Sequence, residues 1–171
     1  MELDLKNISI RGRLACSLIN FEKLLIKLDY SNNKILKDFI EELWGVCSNE
    51  NIESIEEYIN EIAPYSILDT NINNDFNNFN FITFEEASTL KEYYFSLPND
   101  IIISMDILIE IAFGNLYGGT GEYSEITYFQ INKLAGILKK YDIYFTGFEL
   151  KIKSPFKEMN GWGKTHPREI W

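Results

Sequence analysis

The stretch Ile101-Ile102-Ile103-Ser104-Met105-Asp106-Ile107-Leu108-Ile109-Glu110-Ile111-Ala112-Phe113-Gly114-Asn115-Leu116 decides how the chain is read. It is apolar on nearly all sides, the pattern of a helix at the centre of a bundle. It is too short to span a membrane and it carries Asp106 and Glu110. Pro98 precedes it, with Asn99 or Asp100 as the cap, and Gly118, Gly119 and Gly121 end it.

Helices are expected on both sides of this centre. Thr83 and Glu86 have capping-box spacing and open a helix that runs to Tyr94 or Phe95, closed by Pro98. Ser124 caps a helix to about Tyr141, with Ile126, Leu134, Ile137, Leu138 and Tyr141 facing inward. Near the start, Ile10, Leu14, Leu18, Phe21, Leu24, Leu25 and Leu28 recur at intervals of three and four. They predict a helix over 9–29 with Arg11, Arg13, Glu22, Lys23 and Lys27 largely off its apolar face. Asn32 or Asn33 caps a second helix to Cys47, and the short connection predicts antiparallel packing of the two. Ile52, Ile55, Ile59 and Ile62 line a third, which starts near Asn51 and which Pro64 stops. Ser54 and Glu57 also have capping-box spacing, so its regular part could begin there.

Two regions depart from helical spacing. Residues 64–82 read as one long loop, Asn-rich at 71–81 with Phe76, Phe79 and Phe81 interleaved. After Asp142, Phe148, Leu150 and Ile152 alternate with Glu149, Lys151 and Lys153, the period of a short strand or hairpin covering one end of the bundle. Residues 154–171 read as a loose tail. The expected fold class is therefore all-α, a single domain over 1–171 built as a bundle of about six helices.

At 171 residues, 46% hydrophobic and 15% aromatic, the chain has material for one core and buries roughly 70% of its extended surface on folding. Cys16 and Cys47 lie on apolar helical stripes and read as buried thiols, although a disulfide between them is the alternative. Met1-Glu2-Leu3-Asp4-Leu5-Lys6 has no basic segment followed by an apolar run, so no secretory signal is read and a cytoplasmic protein is expected.

The formal charge is −10, and its distribution is more informative than its size. Between Asp38 and Leu90 stand Asp38, Glu41, Glu42, Glu50, Glu53, Glu56, Glu57, Glu61, Asp69, Asp75, Glu85 and Glu86, with no Lys, Arg or His among them. Such a block repels nucleic acid and anionic membranes and attracts cationic partners. Glu53, Glu56, Glu57 and Glu61, spaced i, i+3, i+4 and i+8, form a carboxylate ridge off the apolar stripe of the third helix. Glu41, Glu42, Asp69 and Asp75 flank it, and Tyr58 and Tyr65 are the aromatic surface candidates, while Trp44 is assigned to the core.

No catalytic constellation stands out, and neither an enzyme activity nor a cofactor is expected. Asp106 and Glu110, four residues apart, lack the histidine that carboxylate-bridged metal bundles use, and read as a polar stripe facing solvent. Gly118-Gly119-Thr120-Gly121 lacks the Lys-Ser/Thr ending of a phosphate loop and follows a helix, so it reads as a cap and turn. His166 has no identifiable nucleophile or orienting carboxylate near it in sequence, and two cysteines with one histidine make no zinc site.

Several pieces together resemble the small helical immunity proteins of bacterial polymorphic toxin systems. They are Ile10-Arg11-Gly12-Arg13-Leu14-Ala15-Cys16 leading into Phe21-Glu22-Lys23-Leu24, Leu43-Trp44 followed by an acidic helix and Ala63-Pro64, Leu116-Tyr117-Gly118-Gly119, and Gly161-Trp162-Gly163. The resemblance implies an all-helical protein that binds a cognate toxin, here a basic one, and blocks its active site or its access to substrate. It transfers no contact residues, so those are chosen from charge and exposure alone. A self-associating adaptor is the alternative, followed by a small-ligand or enzymatic bundle using Asp106, Glu110 and Tyr117.

Overall fold

The central helix forms where the apolar stretch predicts it, as α6 (Asn99–Phe113), with Ile101, Met105, Leu108, Ile111 and Ala112 fully enclosed. We describe a computed structural model that covers residues 5–69, 79–147 and 149–171, the side chain of Lys151 apart. Around α6 are α1 (Ile10–Lys27), α2 (Lys34–Ser48), α3 (Glu53–Ile62), α4 (Pro64–Asp69), α5 (Phe84–Ser96), α7 (Glu125–Lys139) and the single turn α8 (Leu150–Lys153). Two 3-10 turns, Glu158–Gly161 and Arg168–Ile170, follow. The described residues contain no strand, only one antiparallel bridge between Ile8 and Pro155. This is an all-α single domain, with α6 packed on α1, α2, α4 and α7.

Local chemistry sets the helix starts. Asn33 accepts the Leu36 N–H and caps α2. Thr83 and Glu86 form the full capping box of α5. The starts of α6 and α7 differ from expectation. α6 begins at Asn99 after Pro98 without a side-chain cap. Ser124 holds the position before α7 in a left-handed conformation (φ 49°), and its hydroxyl bonds Asn115 Oδ1 and Thr127 Oγ1 instead of capping. α3 starts at Glu53, as expected near Asn51, whose Oδ1 accepts the first N–H, and the later Ser54/Glu57 alternative is not used. Pro64 does more than end α3. Ala63 is extended, and Pro64 opens α4 from a first-turn position, where a missing N–H leaves no bond unmade.

The strand expected around Phe148, Leu150 and Ile152 is corrected. Leu150–Lys153 is a helical turn in which the Ser154 N–H reaches Leu150 O (2.8 Å). No neighbouring strand offers a ladder in the described residues, so the backbone bonds itself locally. Phe148 lies outside the described residues, as do 70–78 of the Asn-rich segment, including Phe76 and Asp75.

The last eighteen residues, read as a loose tail, are tied across the start of α1. Ser9 N–H donates to Ser154 O (2.9 Å), Phe156 N–H to Asn7 O (2.9 Å), Arg11 N–H to Trp162 O (3.1 Å) and His166 N–H to Cys47 O (2.9 Å). Gly163 makes the approach feasible. Its φ is +77°, and a Cβ there would overlap Ser9 Oγ and stand 2.7 Å from Ser154 Oγ.

Arg11 and Arg13 are a second correction. Expected off the apolar face, they are 6% and 0% exposed. Arg11 donates from Nε to Val46 O (3.0 Å), from Nη1 to Gly163 O (2.8 Å) and from Nη2 to Asn49 O (3.0 Å), with Trp162 beneath it. Arg13 donates to Leu5 O, Ser124 O, Lys6 O and Thr127 Oγ1 at 2.7–3.2 Å, among the rings of Tyr128 and Phe156. Burial lowers the pKa of both, that of Arg13 to about 10. Two stretches singled out in sequence, 10–16 and 161–163, thus meet in space. The contacts from Arg11 near the start of α1 to Val46 and Asn49 at the end of α2 also show the antiparallel pairing. Cys16 and Cys47 are free and buried, and burial pushes the Cys16 thiol to about 12 and raises that of Cys47.

Candidate functional site

The carboxylate ridge forms on α3, but its members are not equivalent. Glu53 and Glu57 are exposed. Glu56 accepts the phenol of Tyr117 (2.7 Å), a residue 82% exposed that reaches over from the segment after α6. That hydrogen bond, with Glu53 and Glu57 nearby, raises the Tyr117 pKa. Tyr117 therefore belongs to the acidic face, not to a pocket with Asp106 and Glu110.

Glu61 is not available to a partner in the way the spacing suggested. Its carboxylate accepts the backbone N–H groups of Asn80 (2.6 Å), Phe81 (2.8 Å) and Ile82 (3.3 Å), fixing the approach to α5. Glu41 is paired with Arg168, which also pairs with Glu22 and lies over the buried Trp44 ring, 5.1 Å from its centroid. Burial first, and then Glu41, raise the pKa of Glu22 against the lowering by Arg168. Asp69 is exposed at the end of α4, and Asp75 falls outside the described residues.

Tyr58, half-buried on α3, stands edge-on to Phe81 with centroids 6.3 Å apart. Burial and then Glu42, Glu86 and Asp38 raise its phenol. It lines a cleft of about 550 Å³ between α2, α3 and α5. Ile35, Phe39, Ile62, Ile82 and Leu90 supply apolar surface, and Asp38, Glu85 and Glu86 supply carboxylates. Charge order along the chain found the acidic block. It did not single out Asp38, Glu85 and Glu86, because Asp38 comes from α2 and the other two from α5, and only the fold sets them around one cleft.

Tyr65, on α4, donates its hydroxyl to Asn60 Oδ1 (2.6 Å) and faces a different cleft, of about 440 Å³, with Asp106, Glu110, Gln130 and Lys133. Its phenol is raised by burial, then by Asp106, Glu56 and Glu110. Glu110 is exposed, as expected of a polar stripe. Asp106 is half-buried, and its Oδ1 is enclosed without a hydrogen-bond partner. Burial, with Asp69 adding to it against the Tyr65 N–H, pushes the Asp106 carboxyl up to about 6. The two carboxylates thus do not enter the core as a pair.

His166 sits edge-on to Trp171 (5.3 Å), and its carbonyl accepts Trp171 Nε1 (3.2 Å). The 118–121 segment does not cap α6, which ends at Phe113 with Gly114 as its cap; it is irregular up to the turn that begins at Gly121, and Asn115 Nδ2 donates to Gly119 O (3.0 Å). Among the described residues no group of three or more His, Cys, Asp and Glu is arranged to hold a metal ion, and no helix is long and apolar enough to cross a membrane. Comparison with protein-family models, with curated proteins and with solved structures gives no match in any of the three.

Proposed function

We propose that this chain acts by binding a basic protein through the face built from α2, α3 and α5, in the manner of an immunity protein that neutralises a cognate toxin. The observation that carries the reading is the separation of charge. Residues 38–90 hold twelve carboxylates and no basic side chain, and Asp38, Glu42, Glu53, Glu57, Asp69, Glu85 and Glu86 are exposed. A ridge of like charges slightly destabilises an isolated helix, so it is better explained by a cationic partner than by the fold. Exposed carboxylates steer such a partner and speed its association, while Tyr58 and Tyr117 add contact area.

The test is capture from the native host at low ionic strength, elution with a salt gradient and identification by mass spectrometry. The reading expects one stoichiometric basic protein, released by salt. A partner that is acidic, or retention indifferent to salt, contradicts it. A second reading, self-association, draws on the exposed Ile103, Ile126 and Phe129 of α6 and α7. Light scattering showing a monomer at high concentration removes it.

A further inference from the structure

The molecule already holds one arginine on this side, and the way it does so is informative. Arg168 lies over the Trp44 ring while its terminal nitrogens pair with Glu22 of α1 and Glu41 of α2. The ingredients are an aromatic face and carboxylates from two helices, which suit a planar guanidinium better than a compact ammonium.

The same ingredients recur on the next face of α2. Asp38 and Glu42 stand one helical turn apart on α2; Asp38 lines the cleft, and both lie near Tyr58 of α3. Tyr58 comes from α3, and Glu85 and Glu86 come from the first turn of α5. Asp38, Glu42 and Glu86 all lie near enough to Tyr58 to act on its phenol. Glu86 is engaged with Thr83 in the capping box, whereas none of Asp38, Glu42 and Glu85 takes part in an ion pair among the described residues. Lys34 lines the α2 end of the cleft, whose apolar floor and volume of about 550 Å³ are in the range of ligand clefts.

We infer that the cleft between α2, α3 and α5 is a socket for an arginine side chain of the basic partner, with the guanidinium at Tyr58, Asp38 and Glu85 and the methylenes on the apolar floor. The inference rests on the proposed basic-protein reading and assigns its anchor. Arg168 on Trp44 is the intramolecular counterpart of this arrangement. An apolar floor under a carboxylate rim matches an arginine, which carries both kinds of surface.

The test is an NMR titration of the full chain with N-acetyl-arginine methylamide, using the neutral isostere N-acetyl-citrulline methylamide as control. Shifts are expected at the amides of Asp38, Tyr58 and Glu85 with the arginine probe and not with citrulline. Asp38→Asn and Glu85→Gln, both at exposed positions, each weaken binding about fivefold, with the rest of the spectrum unchanged. Equal shifts with citrulline, shifts spread evenly over all the acidic helices, or variants with unaltered affinity overturn the socket. Capture of a basic protein undiminished by the double variant overturns the socket and leaves the basic-protein reading standing. Arginine-specific binding at Tyr58 by a chain that captures no basic protein upholds the socket and overturns that reading.

Discussion

The start of α1 and the face formed by α2, α3 and α5 treat charge in opposite ways. Arg11 and Arg13 are enclosed, and main-chain carbonyls and one threonine hydroxyl accept their N–H groups. On the acidic face, Asp38, Glu42, Glu53, Glu57 and Glu85 stand in solvent without ion pairs among the described residues. Charge in the first region is an instrument of folding, because each guanidinium fixes segments distant in sequence. In the second, Glu61, Glu86 and Glu41 serve the fold, while the unpaired carboxylates just named are open to another molecule. The contrast teaches that burial and hydrogen-bond partners, not residue type, separate a structural charge from one open to a partner.

The largest expected effect breaks the first region. Arg13→Leu removes four charge-assisted hydrogen bonds, although Leu5 O keeps the Ile8 N–H and Ser124 O keeps the Tyr128 N–H, and should cost about 3 kcal/mol of stability in a denaturant titration. Arg13→Lys should recover little, since one ammonium cannot span the four acceptors of a planar fork. A loss under 1 kcal/mol from Arg13→Leu would place this arginine with the surface charges. Next comes Gly163→Ala, which sets a Cβ against Ser9 and Ser154 at a left-handed φ. A loss of about 2 kcal/mol is expected, with the C-terminal segment released to protease.

The third effect concerns Asp106, which belongs to neither region. Its folded pKa of about 6 is raised above the usual aspartate value. The stability it contributes is therefore fully present below about pH 4 and is lost as pH rises through about 6. Because the side chain is only half-buried, solvent screening holds the effect to about 1 kcal/mol. Asp106→Asn should be more stable than the native protein above pH 6 and should flatten that part of the pH profile of the melting temperature. The smallest effect sharpens the second region. Glu53→Lys with Glu57→Lys should change stability by only a few tenths of a kcal/mol, in the favourable direction, because it relieves like-charge repulsion on α3.

What could be read from sequence followed the range of the interaction. The six long helices and the caps at Asn33 and Thr83/Glu86 depend on residues three or four positions apart, and periodicity reports those directly. The single turn at 150–153 imitates a strand only in its alternation of apolar and charged residue types; Leu150 is buried while Ile152, which a strand would place on the same face, is 81% exposed. The burial of Arg13 depends on Ser124 and Thr127, more than a hundred residues away, and that of Arg11 on Gly163. No local pattern carries such pairings. The acidic face was legible as a block of charge, while its internal division was not. Glu61 is taken by the backbone at 80–82 and Glu41 by Arg168, whereas Tyr117 joins the ridge, and Glu85 the cleft, from segments that only the fold brings near.

The most direct test of the central claim is the salt dependence of capture from the native host, comparing the native chain with a Glu42→Lys, Glu53→Lys, Glu57→Lys variant of equal stability. The account predicts that the native chain retains one basic protein at about 50 mM salt and releases it as the Debye length shortens toward 1 M, while the variant retains none. Retention of the same partner by both chains at all salt concentrations would contradict it, and the acidic face would then have no part in binding.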